Sequence, residues 1–210
     1  MTITRAIGVS CNTIIRLIVR GLALSKIHPN VLTFIGLLIN IGAAVLMAMG
    51  RFRWAAVVII GAAIFDMVDG RVARETNQVT KFGGFFDSVL DRYSDLALLI
   101  GLLVYYASIN RFFYVVLTAV VMTGCVMVSY TRARAECIIP KCKVGFMERP
   151  ERMVLLIIGA LFNRMAPVLW VIAVIGNITV IYRMLYTWQE TARLEAAQLR
   201  AVPSELERKG

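Results

Sequence analysis

Six apolar runs, at 31–50, 54–73, 84–107, 112–131, 152–163 and 166–187, set the main constraint on how this chain can fold. About 20 residues of α-helix are needed to cross the ~30 Å hydrocarbon core of a bilayer. Five runs meet that length. The fifth in order, 152–163, meets it only if its helix begins near Glu148 and carries charged residues at its start. Within hydrocarbon each backbone polar group must be satisfied inside the segment, which favours helices. The 59% hydrophobic share exceeds the ~45–50% of soluble domains, and mean hydropathy is +0.74. The expected fold is therefore an all-α integral membrane protein with six transmembrane helices.

Ahead of them, residues 1–27 interleave Ile3, Ile7, Ile14, Ile15, Ile18 and Leu22 with Arg5, Arg16, Arg20 and Lys26. That pattern reads as an amphipathic helix lying in the membrane interface rather than a cleaved signal peptide. Residues 28–188 form the membrane domain, and 189–210 read as a polar tail on the cytosolic side, partly helical until Pro203.

The net charge of +10 is arranged by topology. One set of connections and both ends hold Arg5, Arg16, Lys26, Arg74, Lys81, Arg132, Arg134, Lys141, Lys143, Arg149, Arg193 and Lys209. The opposite connections hold only Arg51, Arg53, Arg111 and Arg164. The positive-inside rule then places both termini in the cytosol and makes the chain a multi-pass cell-membrane protein. This distribution argues against nucleic-acid binding. Cys11, Cys125, Cys137 and Cys142 form no CxxC pair, and the sole histidine, His28, is distant in sequence, so they read as reduced and inert.

The first sixty-five residues contain no acidic side chain. Asp66, Asp69, Asp87, Asp91 and Asp95 then follow within thirty positions. Asp66 and Asp69 are i and i+3 near the cytosolic end of the second run. Asp87 and Asp91 are i and i+4 near the cytosolic start of the third. Each pair shares a helix face. The short intervening loop makes the two helices antiparallel neighbours, so the pairs meet at similar depth. Asp95 extends the stripe one turn deeper, in a direct or supporting role.

A carboxylate at the centre of a membrane helix costs about 2.5–3.5 kcal/mol, and clustered carboxylates repel. Arg71, Arg74 and Arg92 could pair with one or two, but not with four. Carboxylates without His or Cys suit a hard cation, Mg²⁺ or Mn²⁺, and two such ions are typical of sites that act on phosphates. Gly70 and Gly83 beside the aspartates mark close approach by a backbone or ligand. Arg74, one turn beyond Gly70, could grip phosphate.

With its spacing, this stretch reads D-x2-D-G-x2-A-R-x8-G-x3-D-x3-D, at Asp66, Asp69, Gly70, Ala73, Arg74, Gly83, Asp87 and Asp91. It resembles the signature of the CDP-alcohol phosphotransferases at every position. The resemblance implies that Asp66, Asp69, Asp87 and Asp91 bind two divalent cations, Mg²⁺ or Mn²⁺, that hold the diphosphate of a CDP-linked lipid. It makes Asp91 the general base and places Asp69, Gly70, Arg74 and Gly83 around the nucleotide and diphosphate. "HPNVLT", 28–33, resembles the family's P-N-x-x-T opening. Pro29, Asn30 and Thr33 would then shape the nucleotide pocket, with a plain helix start as the other reading.

"SYTRARAE", 129–136, and "VGFMERPERM", 144–153, resemble the branch that makes phosphatidylinositol phosphate or its ether-lipid counterpart. That branch takes inositol 1-phosphate as acceptor. The resemblance puts its phosphate on Ser129, Arg132 and Arg152; Arg183, by its place near the cytosolic end of the sixth run, is a further candidate contact. Arg132 stands where the branch usually has Lys. The implied partners are CDP-diacylglycerol or an ether-lipid analogue, inositol 1-phosphate, membrane lipids and a second copy of the chain in a homodimer. Two other functions share parts of this pattern. Glycerol 3-phosphate as acceptor keeps the aspartates and alters the arginines' role. A cation transporter would need broken helices or internal repeats, and none is visible.

Overall fold

The computed structural model describes the backbone of residues 29–75 and 80–207, and the side chains of 30–66 and 80–197. The expected interfacial helix at 1–27 lies outside the described residues. Those described form six helices and no strand: α1 Pro29–Ala48, α2 Phe52–Glu75, α3 Lys81–Ser108, α4 Phe112–Ala135, α5 Arg149–Leu161 and α6 Met165–Glu207. Their order matches the six apolar runs.

Three of these helices are long and apolar enough to cross a membrane, over Asn30–Ala48, Phe112–Ala135 and Met165–Ala197. On α1 the exposed face carries Val31, Phe34, Leu38, Ile41 and Val45 at helical spacing. The exposed face of α6 repeats the pattern with Trp170, Val174, Ile178, Ile181 and Leu185. Apolar side chains on a face with no protein partner belong against lipid. The chain is a membrane protein. α5 does begin just after Glu148, with charged residues in its first turn, but its 13 residues span only about 20 Å.

The chain divides into two compact units. In the first, residues up to Arg111 with Ala160–Asn163, α1 is the shared support of α2 and α3. Ala43, Ala44 and Met47 of α1, Ala55, Ala56 and Ile59 of α2, and Leu98, Leu99 and Leu102 of α3 form its core. Small residues permit the close crossing. A Cβ on Gly101 would lie 2.2 Å from the Ala44 carbonyl oxygen. The short loop led us to expect α2 and α3 as direct neighbours. Among the described residues both pack on α1, whose small-residue faces accept two helices, and α2 and α3 meet where Asp66 approaches Asp87 and Asp91.

In the second unit, Phe112–Gly159 with the chain from Arg164, α4 packs along α6. Leu117, Val121, Cys125 and Val128 of α4, with Leu169, Ile172 and Ala173 of α6, are buried there. α6 corrects the expected tail. It is one 43-residue helix, about 65 Å long, that continues through Pro203 to Glu207. Residues 188–202 contain neither Gly nor Pro and are rich in Ala, Leu, Glu, Gln and Arg, all strong helix formers. Leu194 also packs against a buried cluster of Ala135, Ile139 and Cys142, which gives that cysteine a core role.

Candidate active site

Thr80 starts α3. It is extended (φ −118°, ψ 153°), and its Oγ1 accepts the Gly83 N–H at 2.9 Å, the usual N-cap arrangement. From that start, Asp87 and Asp91 fall one turn apart on one face. Asp66 comes from α2. Carboxylate oxygens of Asp66, Asp87 and Asp91, all half-buried, lie within 4.8 Å of one another. Asp69, Gly70 and Arg74 continue α2 as helical backbone, one to two turns beyond Asp66; their side chains lie outside the described set. Asp95 is buried a turn deeper and outside the converging trio. Arg92, one cation that could have neutralised the cluster, donates instead to the Ser88 carbonyl of its own helix.

The opening of α1 reaches the same place. A Cβ on Gly83 would stand 3.4 Å from Asn30 Oδ1 and 2.9 Å from Thr80 Oγ1. Glycine thus lets the start of α3 approach Asn30. Pro29 is the first residue of α1, where its fixed φ and missing N–H suit a helix start. Thr33 lies one turn on, half-buried. The P-N-x-x-T opening, Gly83 and the aspartates are therefore parts of one constellation in the first unit.

Three hard oxygen ligands at this separation fit a divalent cation. A Mg²⁺ ion binds oxygens at about 2.0–2.1 Å, so small side-chain rotations would bring the three carboxylates onto one ion. The donor set is all oxygen, which favours Mg²⁺ or Mn²⁺ over softer metals.

The acceptor candidates lie in the second unit. Ser129, half-buried on α4, makes among the described residues a long contact of 3.5 Å to the Cys125 carbonyl. Arg132 and Arg134 occupy the last turn of α4, a favourable position for cations. Arg132 Nε meets Glu136 Oε1 at 3.2 Å, and its Nη1 meets Glu148 Oε1 at 2.8 Å. Arg152 is buried in the first turn of α5 and donates from Nη1 to the Met147 carbonyl at 3.0 Å. Arg183 is also buried. Its Nε donates to the Val144 carbonyl at 2.8 Å, its Nη1 to the Val128 carbonyl, and its Nη2 to Glu148 Oε1 at 3.0 Å. Lys141 and Lys143 are exposed, in keeping with a topological role.

Two residues in this region had no assigned part in the sequence reading. Glu148 bridges Arg132 and Arg183. Thr179 Oγ1 donates to the Phe146 carbonyl at 2.6 Å and so ties the segment before α5 to α6. The one available signal was a Thr and an Arg four apart in the largely apolar first half of α6, which also holds Asn177. That segment turns sharply, with positive φ at Gly145 (96°) and Met147 (68°). A Cβ at Gly145 would strike Thr179 Cγ2 at 2.5 Å.

Comparison with known proteins finds relatives both by sequence and by structure. Archaetidylinositol phosphate synthase of Pyrococcus horikoshii is 36% identical over 177 residues, covering 84% of this chain and 90% of that enzyme. The crystal structure of Mycobacterium tuberculosis phosphatidylinositol phosphate synthase with CDP-DAG bound superposes with a TM-score of 0.78 at 31% identity, covering 84% of this chain and 94% of that one. The same enzyme in complex with manganese and citrate gives a TM-score of 0.75 at 33% identity, covering 81% and 87%. The model of the CDP-alcohol phosphatidyltransferase family matches residues 26–189. With the aspartate signature, the all-helical fold and these relatives in agreement, the chain belongs to the CDP-alcohol phosphatidyltransferase family.

Proposed function

We propose that the chain transfers the phosphatidyl group of CDP-diacylglycerol, or of an ether-lipid analogue, to inositol 1-phosphate. CMP is released and phosphatidylinositol phosphate is formed. The observation that carries this reading is the convergence of Asp66, Asp87 and Asp91 within 4.8 Å on the family's signature spacing. The reading is also supported by relatives named for inositol phosphate products and by a neighbour with CDP-DAG bound.

In this reading Asp91 takes the proton of the acceptor hydroxyl. The hydroxyl oxygen attacks the lipid-side phosphorus, the bond from that phosphorus to the bridging oxygen breaks, and CMP departs with the electron pair. Bound at Asp66, Asp69, Asp87 and Asp91, two divalent cations supply charge that offsets the diphosphate and the developing transition state. Asn30, Thr33 and Pro29, with Gly70, Arg74 and Gly83, shape the nucleotide and diphosphate side. Ser129, Arg132 and Arg152 receive the acceptor phosphate, and Arg183, buried and holding three protein acceptors, supports them. A positioned base contributes about 10²–10⁴-fold, and guanidinium forks match phosphate geometry.

The same reading makes all six helices membrane-spanning in a cell-membrane homodimer, with both termini and the active site on the cytoplasmic side. The test is CMP release by purified protein in detergent with CDP-diacylglycerol and Mg²⁺ or Mn²⁺. Inositol 1-phosphate, glycerol 3-phosphate, free inositol and no acceptor are compared. Release dependent on inositol 1-phosphate is expected. Glycerol 3-phosphate is the second reading, favoured by Arg132 standing where the inositol branch usually has Lys. Release with that acceptor alone would transfer the assignment to it.

A further inference from the structure

Glu148 joins two arginines of very different character. Its Oε1 accepts from Arg183 Nη2 at 3.0 Å and from Arg132 Nη1 at 2.8 Å. The Arg183 side chain is 1% exposed and that of Arg132 is 35% exposed. Arg183 is fixed on its other edges by the carbonyls of Val128, in α4, and Val144, in the segment before α5. Among the described residues Arg132 has no such backbone anchor. Its Nε and Nη1 reach Glu136 and Glu148, and its Nη2 amino group is committed to neither.

We infer that Glu148 is a positioning residue of the acceptor pocket. By sharing one oxygen between the two guanidiniums, it transmits the fixed place of Arg183 to Arg132 and aims Arg132 at the acceptor's phosphate. The inference rests on the proposed function for the identity of that acceptor. Glu148 is itself well held. The segment that carries it is tied to α6 through Val144 to Arg183 and Phe146 to Thr179, and Arg152 holds Met147. Arg132 and Arg152 therefore share one frame, in which Glu148 joins Arg132 to Arg183.

The arrangement also accounts for Arg at 132. A guanidinium meets two carboxylates through separate nitrogens in one plane and keeps further donors for a phosphate. An ammonium offers a single point of charge and no fixed fork. Electrostatics alone makes the opposite prediction for Glu148. A carboxylate beside a phosphate-binding group opposes an anion, so its neutralisation should strengthen binding. Positioning requires that neutralisation weaken it.

The experiment uses the full-length protein with Glu148→Gln, Arg132→Gln and the double variant. Calorimetric binding of inositol 1-phosphate and, separately, of inorganic phosphate is measured, with the KM for each substrate. Glu148→Gln is expected to weaken binding of both anions about ten-fold, a coupling ordinary for residues of one ion-pair network. It should raise the acceptor KM alike and leave the CDP-diacylglycerol KM within two-fold. The double variant should bind no more weakly than Arg132→Gln alone. Unchanged or tighter binding by Glu148→Gln overturns the inference, as does a double variant whose loss is the product of the single losses.

Binding of inorganic phosphate but not inositol 1-phosphate by the unaltered protein would defeat the proposed acceptor only. The inorganic phosphate series then decides Glu148 by the same ten-fold criterion. Failure to bind either anion defeats both readings. If Glu148→Gln does not fold, Arg132→Lys carries the test. It keeps the charge but cannot join Glu136 and Glu148 through separate nitrogens, so a similar loss is expected. Unchanged affinity in that variant overturns the inference.

Discussion

Asp91 stands one turn after Asp87, on the face that also meets Asp66, and is the residue proposed above as the base. Asp91→Asn keeps the size and removes the base. CMP release is expected to fall by about 10²-fold or more, with CDP-diacylglycerol binding retained in an equilibrium binding assay. Near-normal release would remove Asp91 as the base. Arg152 sits in the first turn of α5 with Nη1 on the Met147 carbonyl. Arg152→Ala is expected to raise the acceptor KM at least ten-fold, the scale of a charge-assisted hydrogen bond. The CDP-lipid KM should change little, and equal changes in both would refute a phosphate-specific role. At this scale the aspartates were legible from spacing alone, since i, i+3 and i+4 positions share a face wherever a helix forms. Glu148 was not. It sits 16 residues from Arg132 and 35 from Arg183, and helical periodicity does not reach across such separations.

The elements are joined by three similar turns. α1, α3 and α5 each end on a left-handed residue, Gly50 (φ 72°), Asn110 (φ 55°) and Asn163 (φ 54°). In each, the N–H two residues past the helix's last carbonyl cluster closes the turn: Arg51 to Leu46 at 2.9 Å, Arg111 to Tyr106 at 2.9 Å and Arg164 to Gly159 at 2.7 Å. These connections pass the chain directly into the next helix, and the sequence marked all three with Gly or Asn. Helix contact was less legible. Gly101 in α3 is indistinguishable in sequence from other membrane glycines, yet Ala44 of α1 crosses directly over it. Gly101→Ala is expected to destabilise by about 1–3 kcal/mol through overpacking, read as a lowered Tm in detergent. Gly36 has open space around its Cβ position, so Gly36→Ala should leave Tm nearly unchanged. The length of α6 makes a further prediction. A chain ending at residue 189 removes Leu194 from the Ala135, Ile139 and Cys142 cluster and should melt several degrees lower. A chain ending at 200 keeps that contact and should not.

Across the whole molecule, the proposed function depends on offsetting the charge of the clustered carboxylates. Removal of divalent cations with EDTA is expected to abolish CMP release, and Mg²⁺ or Mn²⁺ to restore it. Release that persists under chelation would contradict the cation role of the trio at Asp66, Asp87 and Asp91. By itself the sequence determined the helix order, the membrane setting, the spacing of the clustered aspartates and the family they indicate. The first three follow from local periodicity or from the length of an apolar run, and the family from the motif's resemblance to a known signature; none of these depends on how helices pack. Tertiary structure alone decided that α1 supports both α2 and α3, that α6 runs unbroken into the tail, and which arginines are committed to protein acceptors. Those outcomes turn on volume and on hydrogen-bond partners brought together from distant positions. Ala44 can meet Gly101 because Gly101 has no side chain and Ala44 only a methyl to keep the backbones apart. Arg183 is an anchor, and Arg132 is presented, because burial removes water as a partner from the first and leaves it to the second.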